Sequence, residues 1–551
     1  MGEAEKQEAV RALKAKHVTI LEPGQPMYRK AIATSNLLFR FSRPEFVARP
    51  TEEAHVQAII REAKKNKLQV TIKGNGHSYA GHSTAFGGIS LDLREMNKVT
   101  LDMNSMTVTM DAGCQWGHVY EKLVSGRHDG YIINGGRCPT VGVSGFILGG
   151  GLSPFTRSFG MGCDTLMEAT VVTAKGDSVT VKNTDDKMSD NGRLFWALRG
   201  AGGGNFGVLI RMKLKVQKLS NRYDMVVAGR YQWFPQGGFT DNVMDTMNDF
   251  YVTKWPNKVT IDTTWICDLR QQNVLGGVRF TVSFDGSKDE YDRLIDKHIK
   301  NEDLKTPLKQ RVLGEKSTRF LFETLASQWL EETERAYPSN KTYELYSSFI
   351  FKNDDRNTIE TATATIRELM ATFRKDFHGE QVNFLVTWIH AGGKATETAP
   401  ADSAFFWREA VFHTYVTVEW IDKWMERDMR RFLAKVKRAL RPLSLKGEAA
   451  FINFPDRDFP TKVHESAYFG GNRDELRRVK EIWDPENFFK CPQGVRRPND
   501  PEEDEDDIED EDKTDQLASK QWSEEWGRYQ PKDLSAALNE FADLGYDEMS
   551  D

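Results

Sequence analysis

The stretch Lys73–Gly88, KGNGHSYAGHSTAFGG, decides how this chain is read. Five of its sixteen residues are glycine, which suits a backbone packed closely against a ligand. His77 stands in the middle, where a phosphate-binding loop ordinarily keeps side chains small. A second run, GGRCPTVGVSGFILGGG (135–151), carries one cysteine, Cys138, among its glycines, and a third, LFWALRGAGGGNFGV (194–208), follows. Consecutive backbone N–H groups form anion-binding concavities. A single loop would be explained equally well by tight turns; three of them, one bearing a histidine and another a cysteine, predict a bound pyrophosphate.

The spacing excludes the common alternatives. A nicotinamide Rossmann site needs Gly-x-Gly-x-x-Gly between a strand and its helix, with an acidic residue roughly 20 positions on. Here Gly74 and Gly76 are followed by Ala80-Gly81 and then by strand-like sequence. No Gly-Lys-Ser/Thr triplet follows any of the loops, so there is no Walker site. Upstream, TEEAHVQAIIREAKKNK (51–67) has helical spacing with Thr51 as its N-cap, and LQVTIKG (68–74) is a strand running into the first loop. Residues 88–113 read as successive strands, 115–127 as a helix, and 165–182 as strand, turn and strand. Beyond Leu219 glycine thins out. Aromatic strands (GRYQWFP, VRFTVSFDG, YELYSSFIF, VNFLVTWIH, VFHTYVTVEW) alternate with charged helices, the pattern of an antiparallel sheet backed by helices.

Composition bounds the function. The 551 residues, 39% hydrophobic and 28% charged, are globular and too many for one core. The net charge of −6 is unevenly spread, because Asp500–Asp551 holds 20 acidic and 4 basic residues. That tail cannot bury enough apolar surface to fold. It is either a solubilising extension or a regulatory segment that folds back on a basic face or binds a partner. The body has no Lys/Arg stripe with interleaved aromatics, so no nucleic-acid partner is expected. No run approaches the roughly 18 apolar residues of a membrane span. The N-terminal segment lacks the apolar centre of a secretory signal, and Lys6 stands where myristoylation wants a hydroxyl, so a cytoplasmic location is expected. Five scattered cysteines make neither a disulfide framework nor a metal cluster, and no metal is expected.

The motifs GNGHSYAG, GGRCPTVGVSGFILGGG, FGMGCDTLMEATVVTAKG and LFWALRGAGGGNFGV, with the closing YFGGNRDELRRVKEIWDPENFFKCPQGV, resemble the berberine bridge enzyme-like FAD-linked oxidases of the vanillyl alcohol oxidase/p-cresol methylhydroxylase superfamily. The likeness spans roughly residues 20–497. It implies an α+β fold: a two-lobed p-cresol methylhydroxylase-type FAD-binding domain (1–217), an antiparallel-sheet substrate domain backed by helices (218–450), a return segment completing the FAD domain (451–497), and the acidic tail (498–551). It also implies FAD held by two covalent bonds, from His77 to the 8α-methyl and from Cys138 to ring carbon 6. Gly74, Asn75, Gly76 and Ser78 would wrap the pyrophosphate together with Thr140, Val141, Gly142, Ser144 and Gly145, with Gly149, Gly150 and Gly151 behind. Asn205, Phe206, Gly207 and Val208 would make backbone contacts, and Asn487, Phe489 and Gln493 would cover the flavin. Val141 fits the position where a small residue admits oxygen, which favours an O2-using oxidase. His82 has no role in the resemblance and reads as structural.

On the substrate side, Tyr415 falls where relatives carry a Glu or Gln that does or assists base work, and His413 lies on the same strand face. A tyrosine base near pKa ~10 needs a neighbouring positive charge to lower it; His413 would supply that or act as base itself. The competing reading is aromatic packing in a half-buried strand. Two departures weaken sugar and lignol oxidation: Phe454 replaces a family tyrosine in INFPDRD, and Leu152 replaces an aromatic after the triple glycine. The leading expectation is an oxidase of a small secondary-metabolite intermediate, by alcohol oxidation, desaturation or oxidative cyclisation. A carbohydrate or alcohol oxidase and a non-redox flavoprotein cyclase or silent flavin-binding protein are the alternatives.

Overall fold

The computed structural model describes residues 3–500 apart from 35, 272, 273, 324, 326–341 and 461. The tail from 501 onward, to which the expectation of an acidic extension applies, lies outside the described residues.

Strand Val70–Lys73 carries the chain into the first glycine loop. It pairs in parallel with Ile89–Asp92, Val70 opposite Ile89 and Lys73 opposite Asp92. Ile89–Asp92 pairs in parallel with Phe46–Arg49, and Thr19–Leu21 closes the sheet antiparallel. Parallel neighbours need a crossover connection. Here the crossover is the glycine loop itself, without a helix, so the loop must swing out from the strand's C-terminal end. Helix Glu53–Lys65 buries Val56, Ile59, Ile60 and Ala63, the stripe its spacing predicts. Its N-cap is Glu52, not Thr51 as the sequence suggests. Thr51 is engaged by the His55 ring instead, with Nδ1 3.3 Å from both its N–H and its hydroxyl.

A second, five-stranded antiparallel sheet runs in the order Val99–Asp102, Thr107–Asp111, Val208–Lys215, Leu166–Val172, Ser178–Lys182. The central strand Val208–Lys215 begins where the third glycine loop ends, which fixes that loop at the N-terminal end of the sheet's middle strand. The turn between the last two strands holds Gly176 at φ +78°, a conformation that favours glycine.

The other large unit is a seven-stranded antiparallel sheet, ordered Val312–Lys316, Met225–Trp233, Gly277–Phe284, Val259–Asp268, Val382–His390, Phe412–Trp420, Tyr343–Phe351. Side chains alternate across it. On strand Phe412–Trp420, Phe412, Val416, Val418 and Trp420 pack with helices Arg356–Asp376 and Glu426–Leu440. Phe432 lies 4.8 Å from Phe373 and 5.0 Å from Phe384, in tilted and edge-on ring contacts. The opposite face, bearing His413 and Tyr415, therefore turns toward the first unit. Asp355 caps the longer helix by accepting from the Asn357 and Thr358 N–H groups at 3.0 and 3.2 Å, worth about 1 kcal/mol.

Buried polar staples join the two units. Arg157 donates to the carbonyls of Val259 (2.8 Å), Ala391 (2.5 Å) and Trp255 (2.6 Å). Residues beyond Ala449 return to the first core, where Phe451, Phe489 and Val495 join the cluster containing Phe206 and Val208. Lys480 locks this return: its buried Nζ donates to Asp484 Oδ2 (2.7 Å), Phe489 O (2.8 Å) and, from the third glycine loop, Asn205 O (2.8 Å).

Candidate active site

The three glycine loops, the return segment and the inner face of the large sheet enclose one cavity of about 830 Å3, toward the upper end of the roughly 300–1,000 Å3 of ligand cavities. Gly74, Asn75, Gly76, His77 and Ser78 line it from the first loop, Cys138, Val141, Gly142, Ser144 and Gly145 from the second, and Asn205 and Gly207 from the third. Phe489 and Gln493 close it from the return segment. Several expected contacts stand behind this wall. Gly149, Gly150 and Gly151 pack against Asn453, Phe405 and Phe146 respectively, so their part is to let neighbouring chain approach. Phe206 and Val208 belong to the core beneath. Asn487 makes a turn at φ +51° with its N–H bonded to Asp484 O at 2.9 Å.

The wall fits a large polyanionic cofactor. A Cβ added at Gly145 or Gly204 would meet nothing within 4 Å, and at Gly203 only Leu148 Cδ1 at 3.7 Å. These glycines face open space that side chains would fill, next to backbone N–H groups suited to phosphate oxygens. Gly76, at φ +83°, keeps the first loop in a conformation other residues resist.

His77 and Cys138 converge from different loops on one hydroxyl. Thr140, outside the cavity wall, places its Oγ1 3.0 Å from His77 Nε2 and 3.6 Å from Cys138 Sγ. The His77 side chain lines the cavity and is exposed. Burial pushes its pKa down to about 4, opposed by its hydrogen bond to Thr140. The ring is therefore neutral near pH 7, with a lone pair available for bond formation. Next to Cys138, Arg137 makes a bidentate pair with Asp262 of the large sheet (Nε 2.5 Å, Nη2 3.0 Å) and donates to Leu152 O at 2.5 Å. It thus ties the second loop to strand Val259–Asp268.

At the other end, Tyr415 reaches the cavity and His413 does not. His413 is buried between Phe405 and Phe451, with ring centroids at 5.8 and 4.9 Å. Burial pushes its pKa down to about 3. It is neutral and supplies no positive charge to Tyr415. Burial pushes the Tyr415 hydroxyl up, opposed by a hydrogen bond to Thr387 and by the charges of Arg279 and Arg137. The phenol is protonated at rest. Around it stand rings that sequence reasoning did not assign: Tyr79, stacked on Tyr346 at 4.0 Å and 5.8 Å from Phe454, with Phe454 itself 4.5 Å from Tyr415. Tyr79 sits two residues after His77 in the stretch that decides the fold. Its signal was an aromatic among the glycines and small residues that flank His77. Asn453, also unassigned, donates to Phe146 O at 2.9 Å and lines the cavity. Among the described residues of the wall there is no Asp or Glu.

With this geometry in view, comparison with known proteins is informative. Residues 44–182 match the family model described as FAD binding domain, and 450–496 match Berberine and berberine like. These matches, with the relatives and solved structures below, support a berberine bridge enzyme-like FAD-linked oxidoreductase. The chain is 28% identical over 491 residues to the FAD-linked oxidoreductase YvdP of Bacillus subtilis, covering 86% of this chain and 97% of that one. It is 24% identical to the tetrahydroberberine oxidase of Argemone mexicana, covering 85% and 88% of the two chains. The solved berberine bridge enzyme from Eschscholzia californica superimposes with a TM-score of 0.76 at 18% identity, over 90% of this chain and all of that one. The protein is thus an enzyme that binds FAD, on the p-cresol methylhydroxylase-type α+β fold. Among the described residues no helix is long and apolar enough to cross a membrane.

Proposed function

We propose that this oxidoreductase is an oxygen-using oxidase of a small, apolar organic molecule, a secondary-metabolite intermediate, with FAD attached through His77 and Cys138 and with Tyr415 as the proton acceptor. FAD, when bound, supplies the two-electron acceptor and its return to the oxidised state with O2. The chain's own part is to seat the substrate, keep bulk water out and receive a proton. The observation that carries the reading is the make-up of the wall. It holds no carboxylate among its described residues, and its ring cluster carries two phenols, Tyr79 and Tyr415, of which Tyr415 is the one that Arg137 and Arg279 favour as an anion. Tyr79, backed by Tyr346, and Phe454 offer flat apolar faces in the wall, and such rings favour offset or edge-on partners. This surface suits an aromatic or polycyclic substrate better than a sugar, which would ask for more hydrogen-bonding groups.

Tyr415 accepts the proton as tyrosinate. Arg137 and Arg279 stabilise that anion, against a burial cost that keeps the phenol protonated at rest. Thr387 orients the hydroxyl. Val141, in the same cavity wall as Cys138, is the residue to which this reading assigns oxygen access. A neutral His77 and Cys138, both in the cavity wall and both close to the Thr140 hydroxyl, support a double attachment.

The test begins with an absorption spectrum before and after acid precipitation. Yellow colour that stays with the pellet, persists in either single variant and leaves only in the double variant His77→Ala, Cys138→Ala supports both bonds. Colour in the supernatant of the unaltered protein overturns them. An oxygen electrode with peroxide detection, run against a panel of benzylic and polycyclic alcohols and amines and a parallel panel of oligosaccharides, decides the substrate class. Turnover confined to sugars refutes the apolar reading, and turnover only with an artificial electron acceptor refutes the oxidase reading.

A further inference from the structure

Helix Glu426–Leu440 carries a surface of one sign. It buries Met429, Phe432, Leu433, Val436 and Leu440 against the large sheet's outer face. On the opposite side Arg427, Arg431, Lys435 and Arg438 are all exposed. At 3.6 residues per turn these positions fall within about 80° of one another, and at 1.5 Å per residue they form a stripe about 17 Å long. Like charges four residues apart on a helix repel, which describes Arg427 with Arg431 and Arg431 with Lys435. Asp428 lies 3.7 Å from Arg431. Other helices set opposite signs side by side on their outer faces: Lys288 lies 2.5 Å from Asp292, and Arg356 lies 2.6 Å from Glu360. Lys64 and Lys65 are paired across to Glu486 and Glu8, at 2.9 and 2.6 Å.

The flank of the same helix already holds carboxylates of the return segment. Arg430 Nη1 donates to Asp458 Oδ2 at 2.6 Å, and Lys437 Nζ lies 3.1 Å from Asp456 Oδ2. Gln493 Nε2 in turn donates to Asp456 O at 2.5 Å. The last stretch of described chain is therefore fastened to the loop that is fastened to the helix, and Asp500 follows seven residues after Gln493. Next in sequence comes PEEDEDDIEDED (501–512), with ten acidic residues in twelve, which lies outside the described residues. Twelve residues of extended chain span about 40 Å, more than the length of the stripe.

We propose that the acidic segment 502–512 docks along the exposed basic face of helix Glu426–Leu440, continuing onto its outer side the interface that Asp456 and Asp458 make on its flank. The complementarity is of charge: ten carboxylates meet the four cations of the stripe, relieve their repulsion and leave a surplus of negative charge in water. Exposed ion pairs are individually weak, but the tether keeps the segment at an effective concentration on the order of millimolar, so the pairs act together. Such a contact is salt-labile, because the Debye length shrinks from about 10 Å at 0.1 M to about 3 Å at 1 M. The helix lies on the side of the large sheet away from the cavity, so the contact depends on neither flavin nor substrate. While the segment is docked, the stripe is closed to polyanions from outside.

Cross-linking of the full-length holoenzyme with a water-soluble carbodiimide reads the contact. The reagent joins a carboxylate to a lysine amine as an amide and leaves as its urea, with no spacer between the two. Lys435 is the reporter, and Lys67 and Lys215, exposed elsewhere, are the controls. In a mixture of isotopically light and heavy protein at 0.1 M salt, peptide mass spectrometry should find Lys435 joined to 502–512 within one chain. The yield should fall on the order of tenfold at 1 M salt. It should fall as far in the triple variant Arg427→Gln, Arg431→Gln, Arg438→Gln, whose melting temperature should match the unaltered protein because all three side chains are exposed. Deleting 501–551 should lengthen retention on heparin, and the triple substitution should cancel that gain. Links spread evenly over the three lysines, links only between light and heavy chains, or a yield indifferent to salt and substitution overturn the proposal. Equal heparin retention with and without the tail shows a stripe open to outside polyanions and overturns it too.

Discussion

Lys480→Met tests whether the return segment is held to the flavin lobe by a single buried ammonium. Lys480 Nζ is fully enclosed and makes its three bonds, at 2.7–2.8 Å, to Asp484, Phe489 and Asn205. Asp484, equally buried, also accepts the Phe488 and Phe489 N–H groups at 2.8 and 2.9 Å. Methionine keeps most of the volume but leaves the Asp484 carboxylate without its counter-ion and two carbonyls without their donor. Removing one partner of a buried pair costs about 3–5 kcal/mol. Carboxylate protonation and the surviving N–H bonds limit the loss, so the lower end applies. At 1.4 kcal/mol per factor of ten, protection of the Phe488 and Phe489 amides against hydrogen exchange should fall by about a hundredfold. That region should become the first to open. Amides in strand Phe412–Trp420, which the network does not touch, serve as the internal control and should change less than threefold. Unchanged protection at Phe488 and Phe489 would refute the clamp. A uniform loss across both regions would mean that Lys480 supports the whole fold, not the segment.

The remaining expectations concern the cavity. Tyr415→Phe should lower kcat by about 10²–10⁴, the usual contribution of a positioned base. The rising limb of the unaltered enzyme should continue toward alkaline pH because burial raises this phenol, and a profile unchanged in the variant would dismiss Tyr415. Gly145→Leu should leave circular dichroism and melting nearly unaltered, since the space beyond its Cα is open, while flavin content falls to near zero; full flavin occupancy would show that the cofactor lies elsewhere. His77, near 4 when folded and ~6.5 when unfolded, binds a proton in the unfolded apoprotein that the folded form refuses. Stability in urea should therefore drop as pH falls from about 6.5 to 4. His77→Ala should flatten that slope; the same slope in both proteins would place the proton uptake on another group.

Much of the flavin lobe was legible because its constraints are local. A strand followed by glycines, with a histidine at a fixed place, reports a backbone conformation that only those residue types permit, and loop and strand appear where the pattern puts them. The large sheet was legible in kind from alternation along YELYSSFIF, VNFLVTWIH and VFHTYVTVEW. Its order was not, because strand Tyr343–Phe351 pairs with Phe412–Trp420 at the sheet's edge and sequence separation says nothing about which strands meet. The two least legible features were contacts between distant segments. Tyr415 and His413 share a strand face, but whether each reaches the cavity depends on what covers it: Phe405 and Phe451, from two other segments, enclose His413. His82 read as structural because the return segment that shares its cavity wall, around Cys491, is some four hundred residues away in the chain.

The arrangement of charge explains why the two ends of the cavity differ in chemistry. At the attachment end, His77 is kept neutral by burial alone, with only a hydroxyl beside it, so it retains a free lone pair. At the Cys491 end the same residue type, His82, is pushed the opposite way: burial lowers it, and Cys491 more than offsets that. Between them, burial raises Tyr415, and Asp262, bound to Arg137, works against the lowering that Arg137 exerts. A substrate whose binding loosened Arg137 from Asp262 would turn that positive charge toward the phenol and lower its pKa at the moment a base is needed. Asp262→Asn separates this from a fixed role for the pair. If Arg137 is held in reserve, the variant frees it before substrate arrives, and the alkaline limb of the rate profile should shift to lower pH. If Arg137 only fastens the second loop to the sheet, the profile should keep its position while flavin retention falls.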